Sequence, residues 1–178
     1  MRLVLIRHAH SESNAAGVLS GRIPNVHLSA KGVKQAEQLS LRLGGFPVAQ
    51  MRISPMERCF ETVAPWINEF VLAANPRFEP LMDPMLNEVD YGDWSGKRLA
   101  TLSRKKEWKT VQESPSRMYF PGGEGIAAQF VGVDAGGIEA KQADIGRLLG
   151  GFVLAGGLAQ RRGAGGAVEN VVDDLKEQ

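Results

Sequence analysis

The chain begins with a short apolar segment that stops abruptly at charged residues. Residues 3–6 are Leu-Val-Leu-Ile, and Arg7 and His8 follow directly. A continuous apolar run of this length, bounded by polar residues, is typical of a strand buried in a sheet. The pattern predicts that this strand delivers a guanidinium and an imidazole to one spot at its end. Such a pair suits a phosphate group.

The next periodic segment, residues 28–43, predicts a helix. Ser29 is suited to the N-cap, and Gly44 and Gly45 mark the end of the pattern. The apolar positions expected to face the core recur at helical spacing: Val33, Ala36, Leu39 and Leu43.

A second strand and helix follow. Residues 51–54 predict a short strand, and Pro55 suits the first turn of a helix. We expect Cys59, Val63 and Ile67 to face the core from that helix. This alternation of strands and helices predicts an α/β protein with a mainly parallel sheet flanked by helices.

The ends of the two strands suggest where a ligand would bind. Ligands of parallel sheets lie outside the carboxyl ends of the strands. Arg7-His8 and Ser54-Pro55 both fall at such ends. The sequence therefore predicts a site at this edge of the sheet.

The character of the chain changes from Gly122 onward. All nine prolines, all three tryptophans and all three histidines precede Gly122, whereas fourteen of the 21 glycines lie from Gly122 to the end. A helix pattern beginning at Glu124 is interrupted by several glycines, which are unfavourable inside helices. Residues 167–175 predict one more short amphipathic helix.

Composition narrows the classes of function. The 21 Lys and Arg residues nearly balance the 20 Asp and Glu residues, so no overall field attracts nucleic acid or an anionic membrane. The single cysteine, Cys59, excludes an internal disulfide framework, and no apolar run is long enough to span a bilayer. Met1 is followed at once by the strand pattern rather than by a signal peptide. We expect a cytoplasmic protein forming one domain over residues 1–178.

Several further motifs surround the initial Arg-His pair. They occur in this order: Asn14, six residues after His8; the helix pattern of residues 28–36; Ser54 to Arg58; the glycine-punctuated acidic segment Leu86 to Gly96; and the turn Phe120 to Glu124. Together these blocks resemble the histidine phosphatase superfamily, whose members include phosphoglycerate mutases and many small-molecule phosphatases. The resemblance covers about residues 1–129, and its acidic segment and Pro-Gly-Gly-Glu turn are most similar to a subgroup described as phosphomutases. It implies the phosphoglycerate mutase-like fold.

The resemblance implies a role for His8 and two arginines. His8 would be the nucleophile that takes the phosphoryl group and becomes a phosphohistidine. An imidazole suits this role because its ordinary pKa of about 6.5 leaves much of it neutral near pH 7. Arg7 and Arg58 would hold the phosphate oxygens through their planar forks of N–H donors.

The same resemblance implies roles for the remaining candidates. Asn14 would donate its amide to the phosphate, although an asparagine that caps a helix is an alternative. Ser20 and Gly21 match a loop that contacts substrate in the family, or they form a plain turn. Glu88 resembles the proton donor to the leaving oxygen, with Asp90 a weaker competitor.

The chemistry requires no metal and no cofactor, and the expected ligand is a small phosphate ester. His10 and His27 match no role in the family, and without a carboxylate or cysteine cluster they do not form a metal site. We expect His10 to line the mouth of the pocket and His27 to be solvated. Trp94 is expected to pack beneath the acidic segment.

One departure from the family bears on activity. Members carry a second histidine near the end of a later strand, in a Ser-His-Gly or similar block. This chain has no histidine after His27, and the candidate strand over residues 151–157 offers glycine there. A reading-frame change after Ala128 is one explanation, and loss of catalysis in a paralogue is the other. The coding DNA decides, because a frameshift predicts a single-base indel that restores such a block.

Three hypotheses for function follow. The first is phosphoryl transfer, as a phosphatase or phosphomutase, through a phosphohistidine at His8. The second is a catalytically impaired module that binds a phosphorylated ligand. The third is a poorly folded remnant, which would show no cooperative thermal transition.

Overall fold

The computed structural model describes residues 2–126 and two later strands, Phe152–Gly157 and Val168–Asn170. The predicted helix that begins near Glu124 lies almost entirely outside the described residues. So do the site of the proposed frameshift and most of the glycine-rich segment.

A five-stranded sheet organises the described residues. Its strands are β1 (Arg2–Arg7), β2 (Gln50–Ile53), β3 (Leu81–Met82), β4 (Phe152–Gly157) and β5 (Val168–Asn170), in the order β3-β2-β4-β1-β5. β1 is parallel to β5 and β2 is parallel to β3, whereas β4 is antiparallel to both of its neighbours. The α/β class is confirmed, and the sheet is mainly parallel, as predicted, because four of its five strands run in the same direction and only β4 opposes them. An apolar run predicts a strand without fixing its direction, which is set by the connections and neighbours.

The sheet brings the ends of β1 and β2 to the same edge. Both strands run antiparallel to β4, so they run in the same direction on either side of it. Ile6 and Ile53 both pair with Val153 of β4, which places these two residues level across the sheet. The residues that follow them, including Arg7, His8 and Ser54, therefore emerge at one edge. This agrees with the site location predicted from the sequence.

Six α-helices accompany the sheet within the described part of the chain. They are α1 (Glu12–Ala16), α2 (Ala30–Leu43), α3 (Glu57–Trp66), α4 (Leu72–Ala74), α5 (Leu99–Leu102) and α6 (Lys106–Glu113). A π-helical segment, Ile67–Val71, joins α3 to α4. Short 3₁₀ turns occur at Pro84–Leu86, Gly92–Trp94 and Pro115–Arg117.

Helix α2 agrees closely with its predicted boundaries. The Ser29 side chain caps it by accepting from the backbone N–H of Gly32, and the helix ends before Gly44. Ala36 and Leu39 are buried as expected, but Val33 is 47 % exposed and does not face the core. Val33 continues the apolar spacing of the helix, yet no described neighbour buries it.

Helix α3 also follows the sequence pattern. Cys59, Val63 and Ile67 are buried, and Ile67 belongs to the π-helical continuation. The helix begins at Glu57, two residues after Pro55, because Met56 is its N-cap and Pro55 precedes that cap.

Two large apolar clusters support the sheet and the acidic segment. The first joins the sheet to α2 and α3, and contains Val4, Ile6, Leu39, Met51, Ile53, Cys59, Val63, Trp66, Ile67, Val71 and Phe78. The second lies beneath the acidic segment, and contains Val89, Tyr91, Trp94, Leu102, Met118, Phe120 and Ile126. The predicted place of Trp94 beneath that segment is confirmed.

A helix was predicted over residues 167–175. The prediction is wrong for Val168–Asn170, which form strand β5. Pairing with β1 overrides the helical spacing of this short segment. Residues 171–175 lie outside the described part. Among the described helices, none has the length and apolar character needed to cross a membrane.

Candidate active site

His8 follows directly after β1 and is half-buried. Its Nδ1 lies 2.7 Å from the carbonyl oxygen of Ala9. A carbonyl can only accept, so Nδ1 carries the proton, and the lone pair of the neutral ring is on Nε2. Burial, with a smaller effect from the charges of Arg58 and Arg7, lowers the pKa of His8 to about 4. The ring is therefore neutral near pH 7, with Nε2 as its nucleophilic atom.

A threonine on α3 fixes the backbone beside His8. The hydroxyl of Thr62 accepts from the backbone N–H of Ala9 at 2.9 Å and donates to the carbonyl of Arg58 at 2.6 Å. Sequence reasoning missed Thr62. The available signal is its position four residues after Arg58, on the same face of the helix.

Arg58 is a fully buried cation on the first turn of α3. Its Nη2 donates to the carbonyl of Gly21 at 2.8 Å and to Oε2 of Glu88 at 2.7 Å. Its Nε and Nη1 are buried and have no hydrogen-bond partner within the described part of the chain. Buried donors of a guanidinium fork without partners favour binding of an anion such as phosphate.

Glu88 is buried between two polar partners. Its Oε2 accepts from Arg58, and its Oε1 accepts from the hydroxyl of Tyr91 at 2.8 Å. Burial raises the pKa of Glu88, outweighing the opposing effects of the Arg58 charge and both hydrogen bonds. A carboxyl group that holds its proton more tightly than usual is suited to act as a general acid.

Tyr91 is a further site residue that sequence reasoning missed. Burial is the largest of the effects that raise the pKa of its hydroxyl, so the hydroxyl stays protonated and donates to Glu88. Its ring packs edge-on against Phe120. The spacing of three residues from Glu88 was the available signal, because it places both side chains in one short segment.

Gly21 and Ser20 form a tight turn against Tyr91. Gly21 has a φ of +52°, and a Cβ there would lie 2.7 Å from Cδ2 of Tyr91. A side chain is therefore excluded at Gly21, whose carbonyl accepts from Arg58. Ser20 is buried, and its carbonyl accepts from the N–H of Ile23. These contacts are those of a turn.

Asn14 is an exposed residue in α1 with a capping function. Its Oδ1 accepts from the backbone N–H and the hydroxyl of Ser11, each at 3.0 Å, and the Ser11 hydroxyl accepts from the Asn14 N–H. This capping box is the alternative that the sequence left open. It uses the oxygen of the Asn14 amide and leaves the role of the NH₂ group to be tested.

Arg7 is the last residue of β1 and is half-buried. Its charge lowers the pKa of both His8 and Glu88, so it lies within electrostatic reach of the two groups. The structure thus brings together Arg7, His8, Arg58 and Glu88 among the predicted residues.

The weaker candidates have structural partners of their own. Oδ1 of Asp90 accepts from the N–H of Gly92 at 2.9 Å. His10 is half-buried, with Nδ1 2.8 Å from the hydroxyl of Ser29. His27 is exposed, as expected, and pairs with Glu61, which raises its pKa. Across the described residues, no group of three or more His, Cys, Asp or Glu side chains is placed to hold a metal ion.

Comparison with known families agrees with this arrangement. Residues 3–134 match the description of the histidine phosphatase superfamily (branch 1). The chain belongs to this superfamily. The match contains His8, Arg58 and Glu88.

Individual relatives in the superfamily include phosphatases and a mutase. The chain is 29 % identical over 132 residues to phosphoserine phosphatase 1 of Hydrogenobacter thermophilus, covering 73 % of this chain and 59 % of that protein. It is 36 % identical over 94 residues to the adenosylcobalamin/alpha-ribazole phosphatase of Salmonella typhimurium, covering 53 % and 43 %. It is 32 % identical over 95 residues to the 2,3-bisphosphoglycerate-dependent phosphoglycerate mutase of Thermoplasma acidophilum, covering 53 % and 44 %. The chain thus spans about half the length of these relatives.

A solved structure of the superfamily shares the fold. The alpha-ribazole phosphatase from Shigella flexneri superposes with a TM-score of 0.62 at 24 % identity, covering 75 % of this chain and 64 % of that one. This likeness confirms the fold family inferred from the sequence.

Proposed function

We propose that this member of the histidine phosphatase superfamily transfers the phosphoryl group of a small phosphate ester through a phosphohistidine at His8. The observation that carries the proposal is the pairing of a neutral imidazole with a buried cation. Nδ1 of His8 is committed to a carbonyl, while Arg58 keeps two buried N–H groups without described partners. This combination offers a nucleophile and an anion-binding fork at one edge of the sheet.

The first half of the reaction forms a bond between phosphorus and Nε2 of His8. The bond between phosphorus and the ester oxygen breaks, and the protonated Glu88 gives its proton to that leaving oxygen. Arg7 and Arg58 stabilise the charge on the transferring phosphoryl oxygens. The amide of Asn14 and the loop at Ser20 and Gly21 complete the contacts with substrate.

The second half restores the enzyme. The Glu88 carboxylate takes a proton from water, whose oxygen attacks phosphorus and displaces Nε2 of His8. Inorganic phosphate leaves and Glu88 is again protonated. In a mutase the acceptor is a hydroxyl group of the product instead of water. The relatives include both kinds of enzyme, so both outcomes are consistent with the first half-reaction.

A module that binds a phosphorylated ligand without turnover is the second candidate. One observation favours it: the sequence contains no histidine beyond His27, whereas the family resemblance implies a second histidine opposite the first. Arg7, His8 and Arg58 would still provide a binding site in such a module.

Labelling with a phosphate ester separates the two candidates. The protein is incubated with ³²P-labelled p-nitrophenyl phosphate, and acid-labile label on the protein and release of inorganic phosphate are followed together. Transient label with turnover supports the enzyme, and stable label indicates a stalled second half-reaction. No label, together with micromolar binding of the ester, supports the module. His8→Asn is the control, because it keeps a polar side chain and removes the nucleophile.

We further propose one domain over residues 1–178, acting in the cytoplasm. Two observations support it: the single cysteine, Cys59, is a free thiol, as a reducing compartment favours, and the sheet combines strands from both ends of the chain. The frameshift after Ala128 remains a prediction, which sequencing of the coding DNA tests.

A further inference from the structure

An ion pair holds the backbone around Glu88. Nε of Arg22 donates to the carbonyl oxygen of Glu88 at 2.7 Å, and its Nη2 donates to Oε2 of Glu124 at 2.9 Å. The same Glu124 oxygen accepts from the backbone N–H of Asp90 at 3.3 Å. Arg22 and Glu124 therefore contact the backbone on both sides of Val89, the residue that follows the acid. We propose that they form a brace that positions Glu88 for proton transfer.

The turn that carries Glu124 is packed directly against the acidic segment. The N–H of Glu124 donates to the carbonyl of Asp90, and the N–H of Asp93 donates to the carbonyl of Pro121, each at 2.8 Å. A Cβ at Gly92 would lie 2.4 Å from the backbone N of Gly123. This close approach keeps the turn and the acidic segment in one rigid arrangement.

The brace also joins the acidic segment to the turn that contacts Arg58. Arg22 follows Gly21, whose carbonyl accepts from Arg58. Glu88 is thus held at its carboxylate by Arg58 and Tyr91 and at its carbonyl by Arg22. One short segment of chain therefore fixes both the phosphate-binding arginine and the acid.

The geometry of the guanidinium is essential to this role. Arg22 uses two nitrogens of its planar fork for two acceptors, the Glu88 carbonyl and the Glu124 carboxylate. A lysine ammonium supplies the charge but not the fork. The Arg22 and Glu124 side chains are 36 % and 39 % exposed. Substituting either one therefore leaves no cavity in a closed core.

This inference rests on the proposed function of Glu88 as the proton donor. Its test compares two substrates that differ in their need for a proton. An alkyl phosphate, such as glycerol 2-phosphate, releases an alkoxide that must be protonated. A p-nitrophenyl phosphate releases a phenolate that leaves without a proton. Both substrates share the second half-reaction, so the test uses kcat/KM, which reports the first half-reaction; misplacing the acid lowers kcat/KM only for the alkyl phosphate.

We expect Arg22→Ala and Glu124→Ala to lower kcat/KM for the alkyl phosphate about 10- to 100-fold, with less than about a threefold change for p-nitrophenyl phosphate. Arg22→Lys should lose nearly as much as Arg22→Ala. The matched control is Arg52→Ala, which removes another arginine–carboxylate pair, that with Asp83 at 2.9 Å, from the edge formed by β2 and β3. The control should leave the ratio of the two rates unchanged.

Equal losses on both substrates would overturn the brace, because a general structural defect affects both. Full recovery by Arg22→Lys would also overturn it, since charge alone would then suffice. If the wild-type protein transfers the phosphoryl group of neither substrate, the proposed function is wrong. The brace is then tested separately, by titrating the Glu88 carboxyl group with ¹³C NMR. A midpoint moved by Arg22→Ala and Glu124→Ala, but not by Arg52→Ala, supports it. A midpoint unchanged in all variants contradicts it.

Discussion

At the scale of single residues, Arg58 is the fully buried positive charge of the site. Removing a guanidinium from water is costly unless its donors and charge are satisfied. Nη2 has two acceptors, whereas Nε and Nη1 are buried without described partners. A bound phosphate would accept hydrogen bonds from these donors. Its binding would therefore offset the free energy that is lost when the donors are removed from water.

Replacement of this fork tests that interpretation. Arg58→Lys keeps the positive charge beside Glu88 but removes the planar set of donors. We expect weaker binding of inorganic phosphate by calorimetry and a loss of phosphoryl transfer on the order of 10²- to 10³-fold. Arg52→Lys, on an exposed edge, is the control. Unchanged phosphate affinity in Arg58→Lys would exclude Arg58 from the binding site.

The opposed pKa shifts of His8 and Glu88 predict the pH dependence of transfer. His8 loses its lone pair by protonation only near its lowered pKa of about 4, whereas Glu88, with its raised pKa, keeps its proton above the usual range. For an alkyl phosphate, kcat/KM should therefore rise above about pH 4 and fall as Glu88 deprotonates.

Glu88→Gln provides the check on this assignment. At the pH optimum, kcat/KM of the variant for the alkyl phosphate should be about 10²- to 10⁴-fold lower than that of the wild type. The variant should also no longer show the alkaline fall due to Glu88. An alkaline limb that persists unchanged in Glu88→Gln would assign the acid to another group. Asp90→Asn is the matched test of the weaker competitor.

At the scale of elements, Thr62 connects α3 to the residues after β1. Thr62 accepts a hydrogen bond from the buried N–H of Ala9. The carbonyl of Ala9 in turn accepts from Nδ1 of His8. Thr62→Val preserves shape but leaves that N–H without its partner. We expect the free energy of unfolding to fall by about 1–3 kcal/mol and transfer to slow as His8 loses its support.

Urea unfolding and the rate of phosphoryl transfer measure these two effects. Thr101→Val, at an exposed position of α5, is the control and should change neither by much. Equal stability of Thr62→Val and wild type would show that Thr62 does not satisfy the Ala9 N–H.

The spacing of apolar residues predicted β2, α2 and α3, because each of these elements buries one face and its apolar residues recur with the period of that face. It did not predict the direction of β4, which depends on pairing with β1 and β2 across the sheet. The roles of His8, Arg58 and Glu88 were inferred from the family resemblance that their motifs carry, and their side chains are of the types that the chemistry needs.

The supporting residues could not be found in the same way. Thr62 contacts Ala9 across 53 positions of sequence, and Arg22 contacts Glu88 across 66. Threonine and arginine are common on protein surfaces, so neither residue type signals such a contact. Only the folded chain brings these partners together.

At the scale of the whole molecule, the buried site makes stability depend on pH. In the unfolded chain His8 titrates near 6.5, whereas in the folded chain its pKa is about 4. Between these values the unfolded state binds a proton that the folded state does not, so the fold loses stability as pH falls.

Comparison with His8→Asn isolates this contribution. Between pH 7 and pH 4 the wild type should lose about 3 kcal/mol more unfolding free energy than the variant. Urea titrations at the two pH values measure the difference. Parallel losses in the two proteins would show that His8 is not protected from protonation by burial.

The central claim is that Nε2 of His8 accepts the phosphoryl group, and ³¹P NMR tests it most directly. The protein is mixed with p-nitrophenyl phosphate, quenched in alkali and digested. We predict a phosphohistidine signal with the chemical shift of the Nε2 isomer, in the peptide that contains His8 and absent from His8→Asn. A signal from the Nδ1 isomer, a signal retained in His8→Asn, or no phosphohistidine despite turnover would contradict the account.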